Sequence, residues 1–182
     1  MILDTREMIE SDIENIVDYF LNADIDFLRF MGADKQKLPE RNTWIQKLKA
    51  ECQKPNTEKG FYYIIWLIDG QPVGHSNINN IQFGKSATMH LHLWEKASRR
   101  KGLAAEFLKS SVQYYFKNFR LQKIICETYT KNIAPSKVLE KIGFKLKRTY
   151  DTTPGWINFH QTVNRYELVK EIGNKRIQSR SS

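Results

Sequence analysis

Apolar residues in the first third of the chain recur with the period of an α-helix. From Ile13 onward they stand three or four positions apart, so they share one face of a helix that Ser11 or Asp12 would cap. The same period returns after Asn42 or Thr43 and predicts a second amphipathic helix. The two faces comprise Ile13, Ile16, Val17, Phe20 and Leu21 in the first helix, and Trp44, Ile45, Leu48 and Cys52 in the second.

The middle of the chain changes to patterns that are typical of strands. An uninterrupted apolar run over residues 61–68 ends in Asp69 and Gly70, a dipeptide that supplies the positive φ angles of a tight hairpin turn. Residues 72–79 are therefore expected to return antiparallel to the run.

A strand with histidines on one face is expected next. Residues 89–94 alternate with period two, which places Met89, Leu91 and Leu93 on one face and His90, His92 and Trp94 on the other. A long helical pattern over 104–119 and an Ile-rich and Thr-rich strand over 121–129 follow. A strand, a long helix and a strand in this order predict a right-handed parallel crossover. A short helix over 135–142 and strands near 144–150 and 159–169 complete the chain.

Composition and charge narrow the class of protein. Hydrophobic residues make up 41% of the 182 residues, which indicates a packed globular domain. The formal net charge of +9 favours an anionic partner: nucleic acid, an anionic surface or a phosphorylated small molecule. Residues 171–182 are basic and lack apolar periodicity, so they are predicted to form a flexible tail. Cys52 and Cys126 have no CxxC spacing, so neither a disulfide framework nor a metal site is expected.

Targeting signals are not evident in the sequence. The apolar runs are much shorter than the about 20 residues that span a bilayer, and the amino terminus lacks the pattern of an export signal. We therefore expect a cytoplasmic protein that does not associate with membranes.

The turn that follows the histidine strand carries the clearest chemical signal. It reads Arg99-Arg100-Lys101-Gly102-Leu103-Ala104, three cations and a glycine at the start of a helix. Backbone N–H groups at a helix start, beside the positive end of the helix dipole, favour a pyrophosphate. The turn matches neither the P-loop nor the dinucleotide fingerprint, so nucleotide hydrolysis and dinucleotide binding are poorly supported.

Together with a later segment, this turn resembles the GNAT superfamily of acyl-CoA-dependent N-acetyltransferases. The segment begins at Asn132 and ends in Val138-Leu139-Glu140-Lys141-Ile142-Gly143-Phe144, which is most similar to the branch that acetylates ribosomal-protein N-termini. The resemblance covers about residues 64–169. It implies a single α/β (α+β) domain over residues 1–170, with a central mixed, largely antiparallel twisted sheet, one splayed parallel strand pair and flanking helices.

The resemblance also implies an activity and a set of site residues. The enzyme would move an acetyl group from acetyl-CoA to a primary amine, either a protein N-terminus or a small amine, by direct attack and without a metal ion. Residues of the basic turn would hold the pyrophosphate, Leu93 and Trp94 would offer backbone groups to the pantetheine arm, and Asn132 would bond to that arm. Those residues of the turn are Arg99, Arg100, Lys101, Gly102, Leu103 and Ala104.

One position departs from the pattern of the family. Many members carry a tyrosine there that protonates the departing thiolate, whereas this sequence has Leu139. Ser136, which would lie beside the cofactor, Tyr129 or water remain as candidates for that acid.

His90 and His92 are the candidate general bases for the attacking amine. An imidazole with an unperturbed pKa near 6.5 suits this task, and the pair is similar to the strand histidines of arylalkylamine N-acetyltransferases. The alternative is that both are structural, as is expected of His75 and His160. Glu127 is a weaker candidate, since a strand carboxylate more often pairs with Lys or Arg. Four aromatic residues could line an acceptor pocket or belong to the core: Phe30, Trp44, Trp156 and Phe159.

Two hypotheses outside catalysis stay open. Leu139 is compatible with a CoA-binding domain that does not catalyse, and the basic charge is compatible with a nucleic-acid-binding module. The sequence contains no recognised nucleic-acid motif, so no specific nucleic acid is expected as a partner. We expect a monomer or a homodimer.

Overall fold

The computed structural model describes residues 1–94 and 102–170, which contain seven strands and five α-helices. Short 3-10 turns cover Glu10–Asp12 and Lys35–Lys37. In chain order the elements are β1 (Leu3–Glu7), α1 (Ile13–Leu21), α2 (Ile25–Phe30), α3 (Arg41–Gln53), β2 (Tyr62–Ile68), β3 (Gln71–Gln82), β4 (Ser86–Leu93), α4 (Leu103–Asn118), β5 (Lys123–Tyr129), α5 (Ile133–Lys141), β6 (Lys145–Thr152) and β7 (Gln161–Val169).

The strands form one sheet in the order β1-β2-β3-β4-β5-β7-β6. Neighbouring strands are antiparallel, except that β4 and β5 run parallel and are joined through α4. This connection is the predicted crossover. A mixed, largely antiparallel sheet with one parallel pair confirms the predicted fold class.

Both faces of the sheet are covered, and β2 shows the consequence for the sequence. Ile64 and Trp66 belong to the core that contains α4, where Trp66 stacks on Phe107 with ring centroids 5.3 Å apart. Tyr63 and Ile65 pack with α1 and α3 in a second core. Because β2 has no solvent face, its apolar run is not interrupted by polar residues.

The predicted helices and hairpin agree with the structure, with corrections at the caps. Asp12 precedes α1, but its carboxylate does not cap that helix and accepts instead from Arg6 and from Ile9 N–H. The second helix, α3, begins at Arg41 rather than after Asn42 or Thr43. The Glu40 carboxylate accepts a hydrogen bond of 2.9 Å from the backbone N–H of Thr43, so Glu40 is the cap. The two predicted caps are therefore wrong.

Two elements near the amino terminus were not predicted. β1 contains a single apolar residue, Leu3, and is a strand because it pairs antiparallel with β2. α2 is only six residues long, too short for a helical period to stand out, and it is fixed by Asp24, which accepts from Phe27 N–H at 2.7 Å. Both depend on contacts that a local pattern does not show.

Some predictions fall outside the residues that the structure describes. These are the phosphate-binding roles of Arg99, Arg100 and Lys101 and the tail over 171–182. None of the helices described has the length and apolar character that crossing a membrane would need.

Candidate active site

The parallel strands separate part-way along their length. The ladder between β4 and β5 contains three pairs and ends at Thr88↔Ile125, whereas β4 continues to Leu93 and β5 to Tyr129. A cavity of about 920 Å³ is lined by residues of both strands beyond this point. The predicted splay of the parallel pair is therefore present, and it forms part of the wall of the cavity.

The first turn of α4 also lines this cavity. Gly102 precedes the helix with φ 73° and ψ 0°, and none of the described side chains caps the helix. A Cβ atom at Gly102 would meet no described atom within 4 Å, so the glycine serves the left-handed backbone and leaves open space beside it. Gly102, Leu103 and Ala104 all contact the cavity. Such a helix start suits the pyrophosphate of acetyl-CoA.

Asn132 supplies a second fitting group at the start of α5. Its Oδ1 atom is buried in the cavity wall and has no hydrogen-bond partner among the described residues. A buried amide oxygen without a donor is costly, which indicates that a ligand or water supplies one. The amide N–H groups of a pantetheine arm are donors of that kind.

Leu93 and Trp94, at the end of β4, differ in where their backbone N–H groups point. Trp94 N–H donates to the carbonyl of Val73 on the β3 side at 2.9 Å. Because successive N–H groups of a strand point to opposite edges, that of Leu93 points toward the gap. Leu93 lines the cavity, whereas Trp94 does not. Of the two predicted residues, the structure brings Leu93 to the gap.

Both candidate bases line the cavity, in different surroundings. His90 has a buried Nε2 atom with no partner among the described residues, and burial lowers the pKa of His90 to about 4, against the opposing charge of Glu127. His92 stands opposite His75 across β3 and β4, with ring centroids 5.0 Å apart. His90 is therefore a neutral acceptor at pH 7.

His75 is a cavity residue that the sequence analysis regarded as structural. Its Nδ1 atom accepts a hydrogen bond of 2.9 Å from the indole N–H of Trp94, so Nε2 carries the hydrogen of the neutral ring. That Nε2 is buried without a described partner, and burial holds the pKa of His75 well below its usual value. The β3–β4 register pairs His75 with His92. Aligning the two strands in the sequence would therefore have placed His75 beside the candidate bases.

Glu127 lies on the β5 side of the cavity. Its Oε1 atom accepts hydrogen bonds from Tyr150 and, at 3.3 Å, from Arg165. The carboxylate is thus ion-paired, which was the expected alternative to a role as base.

Aromatic side chains line another part of the cavity. Of the four that the sequence nominated, Phe30, Trp44 and Trp156 line it, whereas Phe159 does not. The nomination missed several rings from α1, α2 and the region of β2, because they are scattered along the chain; Trp66, which also packs in the core with α4, is one of them. Five more belong with the nominated rings. These are Tyr19, Phe20, Phe27, Phe61 and Tyr63.

The family model of the acetyltransferase (GNAT) domain matches residues 3–145. The chain belongs to this family. The family confirms the predicted enzyme class, an acyl-CoA-dependent N-acetyltransferase, and acetyl-CoA as the co-substrate.

Solved structures with a similar fold include several acetyltransferases. A spermidine N-acetyltransferase from Vibrio cholerae, in complex with CoA and spermine, is 15% identical, with 92% of this chain and 95% of that chain covered at a TM-score of 0.74. A ribosomal L7/L12 alpha-N-protein acetyltransferase in complex with coenzyme A is 14% identical (92% and 93% covered, TM-score 0.72). An aminoglycoside acetyltransferase in complex with coenzyme A and kanamycin is also 14% identical (93% and 95%, TM-score 0.70). A comparison with curated proteins finds no match.

The position where many GNAT enzymes carry a tyrosine is occupied by a core residue. Leu139 is fully buried in the core that contains α4. Ser136 is not among the residues that line the cavity, and its hydroxyl lies 3.0 Å from that of Thr128. Tyr129 does line the cavity. Among the hydroxyl candidates for the general acid, the structure therefore brings Tyr129 to the site.

Metal ligands are not clustered in this GNAT domain as far as it is described. Over residues 1–94 and 102–170 there is no group of three or more His, Cys, Asp or Glu side chains that could hold a metal ion.

Proposed function

We propose that the protein acetylates a primary amine, with the acyl donor held in the gap between β4 and β5 and with His90 as the base. The observation that carries this proposal is a single cavity lined by Gly102, Asn132 and His90, in which the Asn132 and His90 side chains each have a buried polar atom without a described partner. Acetyl-CoA supplies the acetyl group as a thioester. The side chains and backbone groups of the protein bind and orient the two substrates and accept the proton.

Binding and orientation come from the backbone at the gap. The first turn of α4 would hold the pyrophosphate, and Asn132 with the edge of β4 would orient the pantetheine arm. Leu93 at the end of β4 lines the same gap and would lie beside the arm. This placement fixes the thioester beside the histidines of β4.

The transfer step needs one proton acceptor. The amine nitrogen forms a bond to the acyl carbon, the carbon–sulfur bond breaks, and the electron pair leaves with sulfur. The proton lost by nitrogen goes to Nε2 of His90, which is unprotonated at neutral pH because burial lowers the pKa of His90 to about 4. The Glu127 carboxylate then stabilises the charged ring. The departing thiolate takes a proton from Tyr129 or from water.

Release of free thiol from acetyl-CoA tests this function, measured with a panel of primary amines. We expect release that depends on an amine, and a thermal stabilisation by acetyl-CoA equivalent to about 2.7 kcal/mol at a hundredfold excess over Kd. Stabilisation without release by any amine would favour a CoA-binding domain that does not catalyse. If neither is seen and nucleic acid binds at nanomolar concentration in physiological salt, the nucleic-acid module is the better interpretation.

The remaining expectations are part of the proposal. The acceptor is a small amine or a protein N-terminus, the protein acts as a monomer or homodimer, and it acts in the cytoplasm without a specific nucleic-acid or membrane partner.

A further inference from the structure

One wall of the cavity is built from aromatic rings contributed by α1, α2, α3, the region of β2 and the connection between β6 and β7. The rings make a continuous series of contacts that starts at a histidine of β4. Ring centroids are 5.0 Å apart between His92 and Phe20, 5.4 Å between Phe20 and Trp44, and 5.8 Å between Trp44 and Trp156. We call the following cavity residues the aromatic wall: Tyr19, Phe20, Phe27, Phe30, Trp44, Phe61, Tyr63 and Trp156.

The charges around the aromatic wall do not suit an acceptor with several positive charges. Among the described residues that line the cavity the one carboxylate is Glu127, and it is ion-paired with Arg165. An exposed lysine that does not itself line the cavity adds positive charge beside the wall: Lys47 Nζ lies 4.9 Å from the ring centroid of Phe61 and 5.1 Å from that of Trp156. The positive charge of Lys47 beside these two rings disfavours an acceptor that brings several further positive charges to the wall.

Hydrogen bonds connect two segments of the aromatic wall that are far apart in the sequence. The carbonyl of Gly32, just after α2, accepts from Asn158 Nδ2 at 2.8 Å and from Gln161 Nε2 at 2.7 Å. Asp34 N–H donates to the carbonyl of Ile157 at 2.7 Å. These bonds join α2 to the β6–β7 connection, and both segments line the cavity. A wall of fixed size favours a small acceptor over a polypeptide.

We propose that the acceptor is a small primary monoamine with an apolar or aromatic body, which packs against the aromatic wall while its amino group reaches the histidines of β4. This inference rests on the proposed function. Polyamines, aminoglycosides and protein N-termini are the acceptors that it rejects. The apolar body gains from leaving water, and an amine with no second charge avoids Lys47.

The first experiment compares four acceptors with the wild-type protein and acetyl-CoA. We expect kcat/KM for 2-phenylethylamine to exceed that for spermidine, kanamycin and a tetrapeptide with a free N-terminal alanine by about tenfold or more, a difference of about 1.4 kcal/mol. Calorimetry with the protein saturated by CoA should show binding of 2-phenylethylamine and weaker binding of spermidine. A preference for any of the other three would overturn the proposal and leave the proposed function standing.

The second experiment changes the aromatic wall itself. Trp156→Ala should raise KM for 2-phenylethylamine by about tenfold, because ring contacts and apolar burial are lost, with the affinity for acetyl-CoA unchanged. Trp156 is 43% exposed, so the variant should fold. Phe83→Ala, at a ring that is 38% exposed and outside the cavity, is the matched control and should change nothing. An unchanged KM in Trp156→Ala would contradict the proposal.

The third experiment reverses the charge on the aromatic wall. Lys47→Glu places a carboxylate beside Phe61 and Trp156 and should raise kcat/KM for spermidine by about tenfold relative to 2-phenylethylamine. Lys49→Glu makes the same change in net charge at an exposed position of α3 and should leave that ratio unaltered. Equal ratios in both variants would overturn the proposal. Failure of acetyl-CoA to stabilise the wild-type protein would instead refute the proposed function, so the two failures are distinguishable.

Discussion

The two ends of the cavity are built by different means. The end proposed for acetyl-CoA is mainly backbone, with one side chain: the left-handed Gly102, the first turn of α4, the open edge of β4 beyond Thr88 and the Asn132 amide. The acceptor end consists of side chains that come from five separate parts of the chain. Backbone groups recognise a pyrophosphate and amides, which every acyl-CoA carries. Side chains fit one acceptor, so this end can change between enzymes while the fold is kept.

The largest effect is expected from Gly102→Asp, which should disrupt the acetyl-CoA end of the cavity and leave the acceptor end unchanged. Gly102→Asp places a side chain and a negative charge in the open space beside the left-handed turn, where the pyrophosphate would lie. We expect the stabilisation by acetyl-CoA, about 2.7 kcal/mol at a hundredfold excess over Kd, to be lost in thermal unfolding.

Gly84→Asp is the matched control for this change. Gly84 has nearly the same φ, 75° against 73°, and a Cβ atom there would also meet nothing within 4 Å, but it lies outside the cavity. Its stabilisation by acetyl-CoA should persist. Equal losses in the two variants would mean that backbone strain, and not the pyrophosphate site, is responsible.

The second largest effect is expected from a substitution of His90, which lies between the two ends of the cavity. His90→Gln keeps a hydrogen-bonding group but removes the titration, so kcat/KM should fall by about 100-fold with little change in acetyl-CoA affinity. The protonated amine lowers kcat/KM throughout the acid range, and because burial lowers the pKa of His90 to about 4, the further fall that His90 causes should begin near pH 4 and not near 6.5. His160→Gln, at an exposed residue outside the cavity, should behave as wild type.

The companion variant His92→Gln decides between the two histidines. A loss in His92→Gln with none in His90→Gln would make His92 the base. Should both variants keep wild-type kcat/KM from pH 4 to 9, the histidines are structural and the amine arrives already neutral.

The same lowered pKa has a consequence for stability. The pKa of His90 falls from 6.5 in the unfolded chain to about 4 in the fold, so the unfolded state binds the proton first as the pH drops. Stability from neutral His90 is therefore complete above pH 6.5 and is lost as the pH falls toward 4, with a slope of up to about 1.4 kcal/mol per pH unit. Urea unfolding at pH 7 and pH 5 should show a smaller loss for His90→Gln than for wild type.

The contrast between the two ends also explains what the sequence could predict. Gly102, Leu103 and Ala104 were nominated from a contiguous helix-start turn and Asn132 from the resemblance to the GNAT superfamily, and all four line the cavity. His75 and Tyr19 were missed because their place in the cavity depends on strand register and on how α1 packs across the sheet. Local periodicity contains neither kind of information.

A third effect is expected from Gly32→Ala, which tests how the acceptor end is held in shape. Gly32 has φ 82°, and a Cβ atom there would collide with the Gln161 amide that binds the Gly32 carbonyl. Gly32→Ala should loosen the aromatic wall and raise KM for the amine by up to about tenfold, or about 1.4 kcal/mol, with acetyl-CoA affinity unchanged.

Gly70→Ala controls for the backbone cost alone. Gly70 has φ 80°, and a Cβ atom there would meet nothing within 4 Å. Its substitution should lower the free energy of unfolding by about 1–2 kcal/mol, since a left-handed residue acquires a side chain, but leave KM as it was. If Gly32→Ala also leaves KM as it was, the bonds at Gly32 do not shape the acceptor end.

The smallest effect is expected at Ser136 on α5, where neighbouring residues face the cavity but the Ser136 side chain faces the core. Pro135 and Lys137 line the cavity, while the Ser136 hydroxyl is buried against Thr128. Ser136→Ala should therefore keep kcat/KM within about twofold of wild type and lower the free energy of unfolding by about 1 kcal/mol, because the Thr128 hydroxyl loses its partner. A double-mutant cycle with Thr128→Val should give less than the sum of the single losses, since one hydrogen bond is removed in each. A fall in kcat/KM of tenfold or more at unchanged stability would instead put the Ser136 hydroxyl at the departing thiolate, in which case the side chain turns toward the cavity when acetyl-CoA binds.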